Sequence, residues 1–381
     1  MKYLKPTVTE RRKKTRGDIY RYILTSPEAV TKQDVSYTLG VSMPTVHQNI
    51  AELMEAGLIR IGQKQQSTGG RPASGYVAVE DAVIALGAAI TNNHIRILAT
   101  DLRQHILAQS SERVKTTDDP HLEKRVRAQV SNFIKKNKLD ESKILGLGLT
   151  VPGVIDQERD VVVLSPTMKM RNLSISSIRK ELPWKLHIDN DATCAGLAEW
   201  IGNRYNTNKD KDTFVCIHLE NGVGGAIVTD GRAYLGDHVR SAEFGHMCVV
   251  PGGRLCSCGK KGCLEAYCSA KRLTADLGIT AEEFFEGLEK GNKKYAKLWD
   301  EMLTYLAVGI HNIRMVMDSD IVLGGILSSH LEPYLPQIYE AVREMDPFEN
   351  GDDYLTLARY PDEGVMLGAA WYFIDEFVRG L

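Results

Sequence analysis

The amino-acid sequence predicts an α/β protein with a small basic helical domain at its N-terminus and a larger body made of two lobes. The division rests first on charge, because residues 1–80 carry a net charge of +5 and the rest of the chain carries −7. The second reason is the order of the predicted elements, because strands alternate with helices from residue 83 onward, as in α/β domains. We expect domains at residues 1–80, 81–188 and 189–363, with residues 364–381 completing the first lobe.

Two closely spaced helices around residue 40 form the pattern of a helix-turn-helix motif. Thr31 and Asp34 make a capping box that begins the first helix, and Gly40 ends it. Ser42 is placed to cap the second helix, in which apolar residues recur at i, i+4 and i+7 from Val46. This apolar stripe predicts that the second helix packs against the helices before it.

The outer side of the second helix carries candidate DNA contacts. In this motif the N-terminal part of that helix enters the major groove of double-stranded DNA. The short or polar residues available there are Ser42, Pro44, Thr45, His47 and Gln48. Gln48 can form two hydrogen bonds with adenine, and Thr45 can reach a base edge or a thymine methyl group. Because the domain is basic, we expect it to bind a polyanion; a helical protein-docking module is the alternative.

Two short strands after residue 57 predict a wing. The patterns at residues 58–61 and 76–79 favour strands, and they flank a polar segment that contains Arg71. A cation on such a wing can contact phosphate or enter the minor groove. The basic run at residues 11–14 would add phosphate contacts and salt dependence. The N-terminal domain is therefore predicted to be a winged helix-turn-helix.

The body contains two similar strand–turn–strand patterns, at residues 86–101 and 216–230, each of which ends at an aspartate. This faint repeat predicts two related lobes with a cleft between them, and ligands bind at such interfaces. Strands are predicted at residues 83–90, 94–101, 106–114, 144–151, 185–188, 214–219, 226–229, 321–323 and 354–358. Helices are predicted in the body at residues 121–136, 192–202, 281–290, 295–317 and 365–378, and in the N-terminal domain at residues 17–25.

Five of the seven cysteines fall between residues 248 and 268. Such clustering indicates metal binding rather than disulfides in a chain without an export signal, and the basic N-terminus shows no signal-peptide pattern. Cys256, Cys258 and Cys263 with His246 supply a complete tetrahedral zinc set, which leaves no open position and is therefore structural. Cys248 and Cys268 are the alternative ligands.

Polar side chains near this loop suit a ligand with several hydroxyl groups. Glu243 and Glu265 can accept hydroxyl hydrogen bonds, and His246 can bind a metal through one nitrogen and donate through the other. Asp191 follows a predicted strand and begins a helix, so it can act as a general base or bind a hydroxyl group. The alternatives are that Asp191 caps that helix and that the two glutamates face solvent.

The chain resembles the ROK family, whose name stands for repressors, open reading frames and sugar kinases. Residues 242–246 and 256–265 match the family signature, and the N-terminal domain resembles that of the repressor branch. The resemblance implies an actin-like (ribonuclease H-like) fold of the sugar-kinase type. It implies zinc on His246, Cys256, Cys258 and Cys263, and sugar contacts from Asn190, Asp191, Glu243, His246 and Glu265. Asp191 falls at the catalytic-base position of the kinases.

The segments that bind nucleotide in the kinases are altered. The kinases begin with Asp-x-Gly-Gly-Thr-Lys, whereas the aligned residues 89–94 are Ala-Ile-Thr-Asn-Asn-His. Ala89 therefore replaces a carboxylate, and the glycines that let backbone amides approach phosphate are missing. The second turn, usually Gly-Thr-Gly, begins with Glu220, whose charge would repel phosphate. Since phosphoryl transfer depends on positioning phosphate, we expect no enzymatic activity.

These features together predict a sugar-responsive transcriptional repressor that binds operator DNA. Operator symmetry favours a homodimer or homotetramer. No apolar run is long enough to span a bilayer, so we expect a cytoplasmic protein without membrane association. Two alternatives remain open: a residual sugar kinase that also binds DNA, and a regulator controlled by a protein partner.

Overall fold

The computed structural model describes residues 7–62, 75–117, 119, 121–157, 159, 161–165, 168–207, 213–348 and 354–381. Within these ranges, no helix combines the length and the apolar character needed to cross a membrane. The predicted Arg71 and the tip of the wing lie outside the described residues.

The N-terminal domain packs three helices against a two-stranded antiparallel sheet. Its elements are α1 (Val8–Thr25), α2 (Lys32–Leu39), α3 (Met43–Glu55), β1 (Ile59–Ile61) and β2 (Tyr76–Ala78). The expected capping box is present: the Thr31 hydroxyl accepts from the Asp34 amide, and the Asp34 carboxylate accepts from the Thr31 amide. Gly40 ends α2 with φ of 63°, in the left-handed region that favours glycine.

Two details of this domain differ from the sequence-based expectation. Helix α1 begins at Val8 rather than at residue 17, because Thr7 and Glu10 form a second capping box. Ser42 occupies the N-cap position of α3, but its side chain does not cap the helix. Its hydroxyl instead lies 2.8 Å from the hydroxyl of Thr45. The Ser42 side chain therefore bonds to another side chain and not to a backbone amide of the first turn.

The first lobe contains a five-stranded sheet in the order β10-β6-β3-β4-β5. Its strands are β3 (Ile84–Ile90), β4 (His94–Thr100), β5 (Ile106–Arg113), β6 (Ile144–Val151) and β10 (Lys185–Asn190), with helices α4 (Leu122–Asn137) and α5 (Ser176–Glu181). A small sheet that the sequence did not predict adds β7 (Val154–Asp156), β8 (Val161–Ser165) and β9 (Met170–Ser174). Strand β3 pairs antiparallel with β4 and parallel with β6.

The second lobe repeats this arrangement, with strand order β15-β14-β11-β12-β13. Its strands are β11 (Thr213–Leu219), β12 (Val223–Thr229), β13 (Arg232–Ala233), β14 (Asp320–Gly324) and β15 (Leu355–Leu357). The helices are α6 (Asp191–Thr207), α7 (Glu265–Cys268), α8 (Ala270–Leu273), α9 (Ala281–Glu289), α10 (Lys293–Met317) and α11 (Leu335–Arg343). Strand β11 is antiparallel to β12 and parallel to β14, so the hairpin followed by a parallel strand occurs in both lobes.

The last helix, α12 (Gly364–Gly380), joins the three parts of the chain. It packs on β3 and β6 of the first lobe, on α6 and on α1 of the N-terminal domain. The crossing with α6 is very close, because a Cβ on Gly368 would lie 1.8 Å from the carbonyl oxygen of Cys194. On the other side, Ile19 and Tyr20 of α1 share one buried cluster with Ile374 of α12. The N-terminal domain is thus packed directly on the body.

Candidate effector cleft, metal cluster and DNA-binding surface

A small cleft, partly open to solvent, lies where β10 meets α6 and faces the β12 hairpin. Both lobes contribute to its lining, which consists of Gly153, Val154, Ile155, Gln157, Asp189, Asn190, Thr193, Gly224, Gly225, Leu235, Val239, Ser241, Ala242 and Glu243. Of the predicted sugar contacts, Asn190 and Glu243 line this cleft. Asp191, His246 and Glu265 are not part of the lining.

The side chain of Asn190 is fixed by two hydrogen bonds. Its carbonyl oxygen accepts from the amide of Thr193, and its amide nitrogen donates to the carbonyl oxygen of Gly153, at 3.1 and 2.9 Å. Asn190, rather than Asp191, therefore caps the first turn of α6. Each end of the Asn190 amide retains capacity for one further hydrogen bond. Asp191 begins α6, and its Oδ1 accepts from the adjacent amide of Ala192 at 3.0 Å.

Glu243 is half-exposed and stands between the cleft and the metal cluster. Its Oε2 lies 3.9 Å from Nε2 of His246. Desolvation raises the pKa of Glu243, and the charges of Asp191 and Glu265 raise it further, whereas the charge of His246 lowers it. The predicted polar residues therefore converge on one region, although they do not all line the same wall.

Glu265 is engaged with the protein on both of its oxygens. One oxygen accepts from the amide of Val223 at 3.2 Å. The other accepts from the hydroxyl of Ser257 and lies 3.4 Å from Sγ of Cys256. This carboxylate joins the cysteine loop to β12, and a sugar contact from Glu265 stays a prediction.

The four predicted metal ligands form one cluster. The ligand atoms of His246, Cys256, Cys258 and Cys263 all lie within 4.8 Å of one another. Two separations, Sγ of Cys258 to Sγ of Cys263 and Sγ of Cys256 to Nδ1 of His246, are both 3.8 Å. A tetrahedron with metal–sulfur bonds of about 2.3 Å has edges of about 3.8 Å, so this donor set fits zinc. Nδ1 of His246 faces the cluster while Nε2 faces Glu243.

The two alternative cysteine ligands do not join this cluster. The Cys268 thiol is buried and donates to the carbonyl oxygen of Met302 at 3.7 Å. Burial also raises the pKa of Cys268, which disfavours the thiolate that metal binding requires. Cys248 is exposed and pairs through its backbone with Cys263.

The turn after β11 carries a carboxylate at its start. Oε1 of Glu220 accepts from the amide of Ile326 at 3.1 Å. Desolvation raises the pKa of Glu220, and the positive charges of His218 and Arg96 lower it. His218 is buried, and neither of its ring nitrogens has a hydrogen-bond partner among the described residues. In the first lobe, Ala89 is buried in β3.

The predicted DNA contacts cluster at the start of α3. Ser42, Pro44, His47 and Gln48 are exposed there, and Thr45 is half-buried. Two of these side chains already have partners: Nε2 of Gln48 donates to Glu52 at 3.1 Å, and Nδ1 of His47 lies 2.9 Å from Nζ of Lys32. Sequence reasoning missed Tyr37, which is 92% exposed on the neighbouring α2.

Sequence reasoning also missed part of the cleft wall. Leu235, Val239, Ser241 and Ala242 come from the segment after β13, for which no element was predicted. Asp189 is a second missed residue, although its position next to the end of a parallel strand is a signal that could have identified it.

The geometry defines a two-part protein, with a helix-turn-helix domain followed by a two-lobed body of the sugar-kinase type. Residues 13–61 match a helix-turn-helix domain and residues 85–376 match the ROK family. The chain belongs to the ROK family, as the sequence motifs predicted.

Three similar proteins illustrate the relationship. The xylose repressor of Bacillus subtilis is 24% identical over 311 residues, which is 79% of each chain. The crystal structure of a ROK family transcriptional regulator, a homologue of the E. coli MLC protein, matches with a TM-score of 0.77 at 22% identity, over 97% of both chains. A ROK hexokinase from Thermus thermophilus matches with a TM-score of 0.63 at 23% identity, over 77% of this chain and 100% of its own. The predicted fold class is thereby confirmed.

Proposed function

We propose that this protein is a transcriptional repressor that binds double-stranded operator DNA through α3 and responds to a sugar in the interlobe cleft. The observation that carries the proposal is the shared packing of α1 and α12. Because α12 also contacts both lobes, a rearrangement of the cleft can reach the DNA-binding surface through direct contacts. The names of relatives such as the xylose repressor support the same function.

The sugar would be bound by hydroxyl hydrogen bonds from Asn190, Asp191, Glu243, His246 and Glu265. Asn190 and Glu243 are already in the cleft wall. Closure of the cleft around a sugar would bring the other three closer to it. A zinc ion on His246, Cys256, Cys258 and Cys263 would supply a structural cross-link that holds the segment carrying Glu243 and His246.

We infer that the nucleotide side of the cleft has lost its function, so the protein is not an enzyme. Ala89 offers no carboxylate for a metal–nucleotide complex. Glu220 places a negative charge, already bonded to the Ile326 amide, in the turn that receives phosphate in the kinases. Phosphate in that turn would meet both a like charge and an amide that is no longer available.

The regulation follows from linkage between the two sites. A sugar that binds the closed cleft more tightly than the open one shifts the population toward closure. In a homodimer or homotetramer, closure would change the spacing of the two α3 helices, which must match half-sites about one helical turn apart. We expect the protein in the cytoplasm, because it must share a compartment with its operator.

The experiment is a fluorescence-anisotropy titration of the full chain on DNA from its own upstream region, with a panel of sugars and without ATP. We expect one sugar to change DNA affinity. Glu243→Ala should keep DNA binding and lose the sugar response, while Glu289→Ala, an exposed glutamate on α9, should keep both.

Different outcomes reject different parts of the proposal. Absence of preferential binding to the upstream DNA would reject the repressor assignment. Binding that no sugar alters would reject the sugar response and favour control by a protein partner. Steady ADP release from Mg–ATP and a sugar, lost in Asp191→Asn, would favour the residual-kinase alternative.

A further inference from the structure

The cleft lining is acidic. Asp189 and Glu243 are its two acidic lining residues, and none of the described lining residues is Lys or Arg. The remaining lining is neutral, and an apolar wall formed by Val154, Ile155, Leu235 and Val239 makes up a large part of it. A ligand in this cleft therefore meets negative charge on both lobes and no permanent cation among the lining residues.

The carboxylate of Asp189 is held at the cleft by its neighbours. Its Oδ1 accepts from the amide of Asn190 at 2.8 Å, and its Oδ2 lies 3.5 Å from Nε2 of His187. The ring of His187 stacks on Tyr372 of α12, with centroids 3.6 Å apart and planes within 1°. These contacts hold the Asp189 carboxylate in one position beside the cleft.

Further acidic groups surround the inner end of the cleft. The charges of Asp191 and Glu265 act on Glu243, and the charge of Asp191 also acts on Glu220. Groups that can carry positive charge are also nearby: His218 and Arg96 act on Glu220, and His246 lies beside Glu243. The exposed Arg240 lies in sequence between the lining residues Val239 and Ser241 but is not itself part of the lining. Lys169, just before β9, and Arg171, within β9, are exposed and are absent from the lining.

We propose that the effector is a neutral, unphosphorylated sugar, and that the cleft discriminates against the corresponding sugar phosphate. This inference rests on the proposed function, because it names the ligand class of the same site. A phosphate monoester carries a charge of about −1.5 to −2 at neutral pH. Protein sites for such groups use Arg or Lys side chains or converging backbone amides. Here the phosphate would be desolvated between carboxylates and apolar side chains instead.

Titration calorimetry of the full chain tests the inference with matched ligands. The probes are glucose, N-acetylglucosamine and xylose, with the 6-phosphates of the two hexoses. We expect one free sugar to bind, and its phosphate ester, where it is one of the two hexoses, to bind at least about tenfold more weakly. If xylose is the one that binds, neither hexose phosphate should bind more tightly than xylose.

Removing charge from the wall supplies the decisive comparison. Asp189→Asn should reduce the difference in binding affinity between the free sugar and its phosphate ester. Glu289→Gln on α9 should leave that difference unchanged. The unaltered protein gives a second test, because added salt shortens the Debye length from about 30 Å at 0.01 M to about 3 Å at 1 M. The difference in affinity between the free sugar and its ester should decrease as the salt concentration rises over that range.

Three outcomes would contradict the inference, and they can be distinguished from a failure of the proposed function. If a phosphate ester binds more tightly than every free sugar, the effector class is wrong and the sugar-responsive repressor stands. If the ester is weaker but neither Asp189→Asn nor salt changes the difference in affinity, charge is not the cause and the inference fails. If no member of the panel binds while operator DNA does, both the inference and the sugar response are rejected.

Discussion

Arg16 of α1 binds Glu52 of α3, with its Nη1 2.7 Å from Oε2 of the glutamate. The other terminal nitrogen of Arg16 donates to the main-chain oxygen of Leu381, just beyond α12, at 2.6 Å. Oε1 of Glu52 also accepts from Arg12 at 2.6 Å and from Gln48 at 3.1 Å. The carboxylate of Glu52 thus binds two arginines and Gln48, the side chain predicted to contact a base. Through Arg16 it is also linked to the end of α12.

The first prediction concerns this carboxylate. Glu52→Gln should release Arg12 and Arg16 toward DNA phosphates and remove a negative charge beside the groove. We expect tighter binding to random DNA, with a steeper salt dependence. The slope of log K against log salt should grow by about 0.9 for each arginine that gains a phosphate. Stability should change by less than about 1 kcal/mol, as for other surface ion pairs.

Glu55→Gln is the matched control, since Glu55 is an exposed glutamate near the end of the same helix. It removes the same charge without releasing either arginine. Equal effects of the two substitutions on the salt slope would show that net charge alone, and not the release of the arginines, determines binding.

The second prediction concerns base recognition by Gln48. Gln48→Ala should weaken binding to the operator by about 1–3 kcal/mol, if the amide pairs with a base edge. Binding to random DNA should change much less, because phosphate contacts provide that affinity. Gln109→Ala, on the exposed edge strand β5, is the control and should leave both affinities unchanged. An equal loss on operator and random DNA would contradict a base contact.

Local signals explain what the sequence could predict. The helix-turn-helix was predictable because Thr31, Asp34 and Gly40 set the ends of α2 through their own backbone contacts. The metal cluster was predictable because closely spaced cysteines in a glycine-containing loop need little outside help to converge. Long strands of the body were located within a few residues, since their apolar patterns extend over seven or eight positions.

Tertiary contacts explain what the sequence could not predict. The segment that walls the cleft contains Val239 and Ala242 at φ of 54° and 60°, a region that a β-branched residue rarely adopts without outside support. The bonds of Glu265 to Val223 and Ser257 depend on where β12 lies relative to the loop. The early start of α1 was missed because its hydrophilic first turns lack an apolar periodicity.

The third prediction tests the metal cluster. Purified protein should contain one zinc per chain, and Cys258→Ser should lose most of it, because three ligands bind zinc less tightly than four. Cys248→Ser, which alters an exposed cysteine outside the cluster, should retain the metal. Elemental analysis measures the content, and thermal unfolding measures the consequence.

Metal removal should also lower the melting temperature. Each 1 kcal/mol of lost stability corresponds to about 2–4 °C for domains of 150–250 residues. Chelator-treated protein and Cys258→Ser should show similar losses, and readdition of zinc should restore only the former. Full zinc content in Cys258→Ser together with its loss from Cys248→Ser would mean that the ligand set is wrong.

The last prediction concerns the crossing of α12 with α6. Gly368→Ala would place a Cβ 1.8 Å from the Cys194 carbonyl oxygen and 2.5 Å from its carbon, both of them backbone atoms that cannot rotate away. The helices must separate, which should cost about 1–3 kcal/mol. Gly364→Ala, at the first residue of the same helix, meets its nearest atom at 3.6 Å and should be neutral or stabilising, because alanine favours helix. Thermal unfolding compares the stability of the two variants. Equal stability would contradict a contact as close as 1.8 Å between a Cβ at residue 368 and the Cys194 carbonyl oxygen. Because α12 also packs on α1, only Gly368→Ala should change DNA affinity in the absence of sugar.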